Sequence, residues 1–542
     1  MAPPRLKPAK KKRDSAAKLV DKDDYLEAAD GHEEAMGKHR VGDPAKALRF
    51  ADRALDVYSQ GLAKFPRSFD LAYNKARLEL EKATDDVLSE ALQVPAISVL
   101  RQALSSHYYA RDLDPSHADT LFNMAQVLTS MAEIIAEDDE ADESEALQNI
   151  EQALEIQTKC FELQQAAFAK SRSELEGAMR ETAEQPTAQV DSGEATTNPT
   201  TEPQSISREE QWAVIEEPLT ADTLLETIIA QIEALTALCS ILTSSLASSP
   251  ESGHASATAL SWIDSYSGNL LGRTLPTLIN ENRSTLEPRL SDVMLPRAVF
   301  MSNYLELCFR LSTIDTEKYK RELDDAFTQP GLDGTSEDVL LASARALLSL
   351  NSALADRVSI GISDATAASH AALRWKILIE AQSRLSSVAS IPDMDKHTVA
   401  TTHCLRGDIS LFLQILAYSP VAHPQAQTTT PQLLRNAEVY YRNAGKLFGS
   451  LGRSTDEERS VCELKGAVVS VLQQVTTDQA AAGSSSGQDN RGTMIGMSAS
   501  TDQIERALGP VLRAKGEQWV RDHIEEIVNQ GLVIPQVFSA VI

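Results

Sequence analysis

The sequence predicts an all-α protein, and two features of its composition support this fold class. Glycine is scarce, at 24 of 542 residues, and aromatic residues make up only 5%, so the glycine turns and aromatic strands of an all-β protein are not expected. Strong helix formers, chiefly Ala, Leu, Glu, Gln and Lys, fill the stretches between glycine or proline joints. The length of 542 residues suggests two to four domains or one extended repeat array, and a hydrophobic content of 42% is typical of a soluble globular protein.

The chain is strongly acidic, with a net charge of −27 from 78 Asp and Glu against 51 Lys and Arg. Nucleic acids and anionic membranes are bound through basic surfaces that displace counterions, so neither is expected as a direct partner. No uncharged apolar run reaches the roughly 18 to 20 residues that span a bilayer. The best candidate, 227–242, contains Gln231 and Glu233. The sequence therefore predicts a soluble protein.

Residues 1–20 are expected to form a basic, disordered tail. The first 13 residues carry a charge of +6, which leaves −33 on the rest of the chain, and no apolar run follows, so a secretory signal is not expected. The densest basic run is Lys10, Lys11, Lys12 and Arg13. This run is either a nuclear localisation signal or a solvated segment without a specific role. The first interpretation predicts a protein of the cytoplasm and nucleus.

Composition divides the rest of the chain into helical and low-complexity segments. The predicted segments are helical repeats at 21–179, a disordered linker at 180–212, a second helical domain with degenerate repeats at 213–476, a flexible loop at 477–500 and C-terminal helices at 501–542. The linker and the loop have few apolar residues, so neither can form a packed core. After the linker, helices are predicted at 223–246, 290–311, 316–327, 337–356, 365–388, 396–417, 431–451, 455–475, 504–515 and 518–529.

Small residues recur at helical spacing within 21–179. Three helices carry them at offsets of four and seven, which places them on one face and lets a neighbouring helix approach closely. These sets are Ala47, Ala51 and Ala54; Ala103, His107 and Ala110; and Ala146, Ile150 and Ala153. Each follows a helix with a small residue of its own, at Ala35, Ala76 and Ala125.

In these residues the chain resembles the tetratricopeptide repeat (TPR) family. Ala35 and Ala47 have the family separation of twelve residues, Gly42-Asp43 fall at its usual turn, and Asp114-Pro115 match its repeat-closing dipeptide. The spacings from Ala76 to Ala103 and from Ala125 to Ala146 are 15 and 9 residues longer. A fourth candidate unit has a first helix near Gly407 and a second helix with Ala437, Tyr441 and Ala444. The resemblance implies a right-handed α-solenoid of antiparallel helix pairs with long low-complexity loops, whose number of repeats beyond residue 213 stays open.

Some TPR domains bind the C-terminal carboxylate of Hsp70 or Hsp90 through a clamp of Lys, Asn and Arg. Asn74 fills one clamp position, and with Asn123 it is a candidate groove residue. The other positions depart from the clamp pattern, at His32, Met36, Asp119 and Asn123. Because Asp119 repels a carboxylate, we do not expect Hsp70 or Hsp90 to bind through this clamp.

The sequence gives no sign of a catalytic, cofactor-binding or metal-binding site. It contains no phosphate-binding loop, HExxH helix or EF-hand loop. The cysteines are odd in number and lack CxxC or zinc spacing, so they are expected to be reduced and mostly buried: Cys160, Cys239, Cys308, Cys404 and Cys462. We therefore do not expect an enzyme, and we predict no cofactor.

The densest acidic run, EDDEADESE at 137–145, falls in the enlarged turn of the third repeat. Its seven acids are Glu137, Asp138, Asp139, Glu140, Asp142, Glu143 and Glu145. Such a run is either a solubilising loop or a docking site for a basic partner, since clustered carboxylates attract Lys- and Arg-rich segments at long range.

These features favour a protein-binding function. The first hypothesis is a non-enzymatic adaptor or dedicated chaperone for a basic client, such as a ribosomal or other nucleic-acid-binding protein. The alternatives are a scaffold subunit of a multiprotein complex and a regulator of an enzyme bound in the solenoid groove.

Overall fold

A computed structural model of the chain describes residues 19–138, 142–184, 219–248, 253–359, 364–418, 423–452, 455–486 and 499–539. The predicted localisation run Lys10 to Arg13 lies outside these residues, as do Asp139 and Glu140 of the acidic run. Within the described ranges the regular structure is helical and no β-strand is present. The all-α prediction is confirmed.

Twenty α-helices follow one another along the described residues. They are α1 (Lys22–His39), α2 (Pro44–Lys64), α3 (Phe69–Thr84), α4 (Asp86–Glu90), α5 (Ala96–Leu113), α6 (Ala118–Ala136), α7 (Glu143–Glu184), α8 (Ala221–Ser248), α9 (Gly253–Asn269), α10 (Leu275–Glu281), α11 (Arg283–Leu286), α12 (Leu290–Arg310), α13 (Thr316–Phe327), α14 (Glu337–Ser359), α15 (Asp364–Val388), α16 (Lys396–Ile415), α17 (Pro424–Leu451), α18 (Asp456–Ser486), α19 (Thr501–Lys515) and α20 (Glu517–Asn529). A π-helical segment, Leu270–Thr274, joins α9 to α10, and short 3₁₀ turns lie at Glu287–Arg289 and Pro535–Val537.

The chain forms two compact units. Unit 1 comprises Met1–Leu238 and Ile263–Pro288, and unit 2 comprises Cys239–Trp262 and Arg289–Ile542. The division falls within α8 and within α9 rather than between helices. The segment boundaries predicted from composition stay predictions, since much of the predicted linker lies outside the described residues.

Unit 1 is built from helices that pack against their neighbours in the chain, from α1 to α7. The predicted packing residues lie between them with no exposed surface: Ala47, Ala54, Ala76, Ala103, Ala110, Ala125, Ala146 and Ala153. Ala35 is different, because it is only half-buried. The buried face of α1 instead passes through Ala29, Glu33 and Met36, which leaves Ala35 one position off the face.

The extra residues of the longer repeats form helix rather than loop. The turn after α3 contains the short helix α4, whose N-cap Asp85 accepts hydrogen bonds from the backbone N–H groups of Val87 and Leu88. After α6, only residues 137–142 separate it from α7, so most of the added length extends α6 itself. The added residues are rich in helix formers, so they form helix. Composition alone does not show which of them lie in a helix and which lie in a turn.

A buried ionic cluster holds α1, α2 and α3 together. The Arg77 guanidinium pairs with Glu33, and both side chains are at most 2% exposed. The Tyr58 hydroxyl donates to Glu33 Oε1 at 2.5 Å, and Arg77 Nη1 donates to Glu81 Oε2 at 2.8 Å. The cluster satisfies charges that would be costly to bury alone, so it favours one register of the three helices.

Unit 2 contains the helix pair predicted around Gly407. This residue lies in α16 directly beneath the Tyr441 ring of α17, and Ala437 and Ala444 are fully buried on the same face. The helix α17 begins at Pro424, earlier than predicted, because Ala426 and Thr430 extend its buried face before Pro431. Likewise α18 continues to Ser486, into the segment predicted as a loop.

Two described helices are long and apolar enough to cross a membrane by length and composition: Ala221–Leu246 and Glu337–Arg357. Of their most apolar windows, 72% and 50% of the residues are buried inside the protein. Core packing accounts for much of this apolar character.

Candidate functional site

The structure brings carboxylates of α6 and α8 together on unit 1. The group comprises Glu133, Glu137, Glu226 and Glu233, referred to below as the acidic face. Glu226 and Glu233 share one side of α8 because they are seven residues apart. The Glu133 carboxylate is close enough to those of Glu137 and Glu233 for like-charge repulsion to act between them. The face therefore joins residues that are about 100 positions apart in the chain.

Like-charge repulsion perturbs the acidic face. Partial desolvation, and then repulsion from Glu137, raises the pKa of the Glu133 carboxyl. Partial desolvation, followed by Glu133 and Glu226, raises the pKa of Glu233. Among the residues that the structure describes, neither Glu133 nor Glu233 has a basic ion-pair partner. A cation bound beside Glu133 and Glu233 would favour the ionised forms of these two carboxyl groups.

The predicted acidic run continues from this face but is only partly a loop. Glu137 and Asp138 follow the end of α6, whereas Glu143 and Glu145 lie in the first turn of α7, where the helix dipole favours negative charge. Asp142 Oδ1 accepts a hydrogen bond from Ser144 N at 2.9 Å, and hydrogen bonds from Ser144 lower the pKa of this carboxyl. Glu145 also pairs with Arg101 at 3.0 Å. Part of the run therefore caps a helix.

The two predicted groove asparagines lie inside the helix packing. Asn74 is 2% exposed, and its Nδ2 donates to the Asp70 carbonyl at 2.9 Å, one turn earlier in α3. Asn123 is fully buried beside the Tyr73 hydroxyl. Neither side chain offers a surface to a partner, so their prediction as groove residues is not supported by their burial.

A groove of about 740 Å³ lies elsewhere in unit 1, between α7, α8 and α10. Its lining combines apolar side chains with both signs of charge: Phe161, Phe168, Leu224, Leu278, Arg172, Arg273, Glu176 and Glu281. Phe161 and Phe168 are seven residues apart on α7 and both are half-buried. This spacing of seven is the sequence signal for the groove. Residues that face the core of a helical protein have the same spacing, so the groove could not be predicted from it.

His107 of unit 1 lies in the helix packing. His107 is fully buried, and burial lowers its pKa to about 3, so it is neutral. Within the described ranges, no group of three His, Cys, Asp or Glu side chains is arranged to hold a metal ion.

Comparison with known proteins adds one partial similarity. No family model matches the sequence. A curated relative, the UPF0656 protein C926.02 of Schizosaccharomyces pombe, is 34% identical over 160 residues. The match covers 28% of this chain and 35% of that protein, so the chain spans about a third of the length of the relative. The name of the relative states no activity, ligand or partner, and the similarity therefore assigns no function.

Proposed function

We propose that this chain is a non-enzymatic adaptor or dedicated chaperone that binds a basic protein client through unit 1. The observation that supports it is the acidic face, where partial desolvation and mutual repulsion raise the pKa of Glu133 and Glu233. A Lys- or Arg-rich segment would relieve this repulsion on binding and would be steered there by the net charge of −27. A ribosomal or other nucleic-acid-binding protein has the required charge.

The proposal includes a TPR-like fold for unit 1. Sequential packing of α1 to α7 and the complete burial of the predicted small residues support helix-pair repeats of a right-handed solenoid. The groove between α7 and α8 would accept an apolar side chain of the client, since Phe161 and Phe168 form part of its lining.

A binding experiment with a defined probe tests the proposal. The full chain is titrated with a fluorescent Lys- and Arg-rich peptide, and Kd is measured by anisotropy at about 0.05 and 0.5 M NaCl, over which the screening length falls to a few ångströms. We expect micromolar or tighter binding at low salt that weakens at least tenfold at high salt. The double variant Glu133→Gln/Glu233→Gln should weaken low-salt binding roughly 2- to 30-fold, because each exposed charge pair contributes about 0.2–1 kcal/mol.

The matched control removes the same charge from unit 2. Glu505 and Glu525 are exposed residues of α19 and α20, and Glu505→Gln/Glu525→Gln also removes two negative charges. Equal loss of affinity in both double variants would show that only net charge matters, and the acidic face would then have no role as a docking site.

A scaffold role is the second candidate. It predicts partners that stay bound at about 0.5 M NaCl, where surface attraction is screened. Affinity purification at both salt concentrations, with mass spectrometry of the retained proteins, distinguishes the two.

Nuclear entry through Lys10 to Arg13 also stays a proposal, and unchanged nuclear content after deletion of residues 1–13 would rule it out.

A further inference from the structure

Two cysteines of unit 2 meet in the packing of α16 and α18. The Sγ atoms of Cys404 and Cys462 lie 2.7 Å apart, and the residues are 58 positions apart in the chain. A disulfide bond is about 2.05 Å long, so the two sulfurs need to approach by only about 0.65 Å to be joined. Around them, Ala400, Ala444 and Phe448 form a small apolar cluster. Neither residue spacing nor a motif connects the two positions, so this pair could not be predicted from the sequence.

The two thiols differ in their access to solvent. Cys462 is 1% exposed, whereas Cys404 is half-buried and reaches the surface. Contact with the Cys404 sulfur and burial both raise the pKa of the Cys462 thiol, so Cys462 keeps its proton at neutral pH. An oxidant from solvent therefore reaches Cys404 first.

Buried charges lie next to the pair. Lys465 Nζ is 2.8 Å from Asp408 Oδ1, and the Tyr441 hydroxyl donates to the same oxygen at 2.7 Å. The Lys465 ammonium attracts negative charge on both sulfurs, while Asp408 opposes it. Because Lys465 is held in place by Asp408, a cation stays close to any thiolate that forms at Cys404.

We infer that Cys404 and Cys462 are a reversible redox site that hydrogen peroxide converts into a disulfide joining α16 to α18. In the first step the Cys404 thiolate attacks peroxide, an S–O bond forms, the O–O bond breaks, and the departing hydroxide takes up a proton to become water. The Cys462 sulfur then attacks the sulfenic acid at Cys404, the S–S bond forms, and the S–O bond breaks. The departing hydroxide takes the Cys462 thiol proton, so two thiols and one peroxide give one disulfide and two waters.

The disulfide would restrain unit 2 beyond the bond itself. Both α16 and α18 pack against α17, so oxidation would close a loop that contains the whole of α17. A closed loop limits the unfolded ensemble and slows opening of the three helices. Reduction by a dithiol would restore the free pair.

Peptide mapping of the full-length protein tests this inference. The reduced protein is treated with hydrogen peroxide, remaining thiols are blocked, and the digest is analysed by mass spectrometry without reductant. We expect a linked pair of peptides containing Cys404 and Cys462, a fall in free thiols from five to three, and recovery of five with dithiothreitol. Resistance of residues 396–486 to protease should rise in the oxidised form and return to its starting value after reduction.

Three serine variants separate this pair from other oxidation. Cys404→Ser should abolish the linked peptides, whereas Cys160→Ser and Cys308→Ser should keep them, because these buried thiols lie elsewhere. Circular dichroism checks that each variant is folded. Five free thiols after treatment, a bond between other cysteines, or dimers linked through Cys404 would each overturn the inference.

Discussion

At the scale of single residues, His107 has an environment that couples folding to pH. Its ring is completely buried in α5, and neither ring nitrogen has a hydrogen-bond partner among the described residues. Desolvation lowers its pKa to about 3, against 6.5 in an unfolded chain. The unfolded state therefore binds the proton more tightly than the folded state. The contribution of neutral His107 to the free energy of unfolding is complete above pH 6.5 and is lost as pH falls toward 3.

The variant His107→Leu removes this coupling. From pH 7 to pH 5, the wild-type protein should lose about 2 kcal/mol of unfolding free energy through this residue alone, since one pKa unit corresponds to about 1.36 kcal/mol. Urea unfolding at both pH values measures the loss. If the variant loses as much stability on acidification as the wild type, His107 is not the cause.

At the scale of helices, the close approach of α16 and α17 depends on Gly407. A Cβ atom at this position would lie 2.5 to 2.8 Å from three carbons of the Tyr441 ring. The ring cannot move away easily, because it is fully buried and its hydroxyl is bonded to Asp408. Only glycine fits here without displacing α17.

The variant Gly407→Ala should therefore destabilise unit 2. We expect a loss of roughly 1–3 kcal/mol from overpacking, which outweighs the helix propensity that alanine gains. Gly466→Ala in α18 is the matched control, because nothing lies within 4 Å of its Cβ position, and it should stabilise by up to about 1 kcal/mol. Chemical unfolding measures both, and a neutral or stabilising Gly407→Ala would show that the two helices separate freely.

The pattern of small residues predicted which helix faces are buried, because offsets of four and seven are fixed within one helix. The pattern correctly predicted the buried positions of the eight alanines between Ala47 and Ala153 that lie in the helix packing of unit 1. It also paired the helix of Gly407 with the helix face that carries Tyr441. It erred at Ala35, where the neighbouring Glu33 is buried through its pairing with Arg77, 44 residues away. Such pairings depend on tertiary packing, and local periodicity does not reveal them.

At the scale of the whole molecule, the net charge of −27 opposes the compact state. Added salt screens this repulsion, with a screening length near 30 Å at about 0.01 M and 8 Å at about 0.15 M. The midpoint of thermal unfolding should therefore rise by roughly 2–4 °C over this range, equivalent to about 1 kcal/mol.

The acidic face should account for part of this rise. In Glu133→Gln/Glu233→Gln, the two acidic-face carboxylates that repel each other are removed, so the midpoint at low salt should be higher and the response to NaCl smaller. Differential scanning fluorimetry in NaCl measures both proteins. An identical salt response in the variant would mean that the repulsion is spread over the surface. Composition predicted the acidity of the chain. It could not predict that carboxylates of α6 and α8 lie close together, because that depends on the tertiary packing.

The division of the chain into units has a consequence for its synthesis. Unit 1 needs residues up to Pro288, while 239–262 belong to unit 2. A ribosome that has released the first 238 residues has not yet supplied the last segment of unit 1, so that unit completes its packing only after part of the other has emerged. For the same reason, a fragment that ends at residue 238 lacks 263–288. Both units are therefore best produced from the uninterrupted chain.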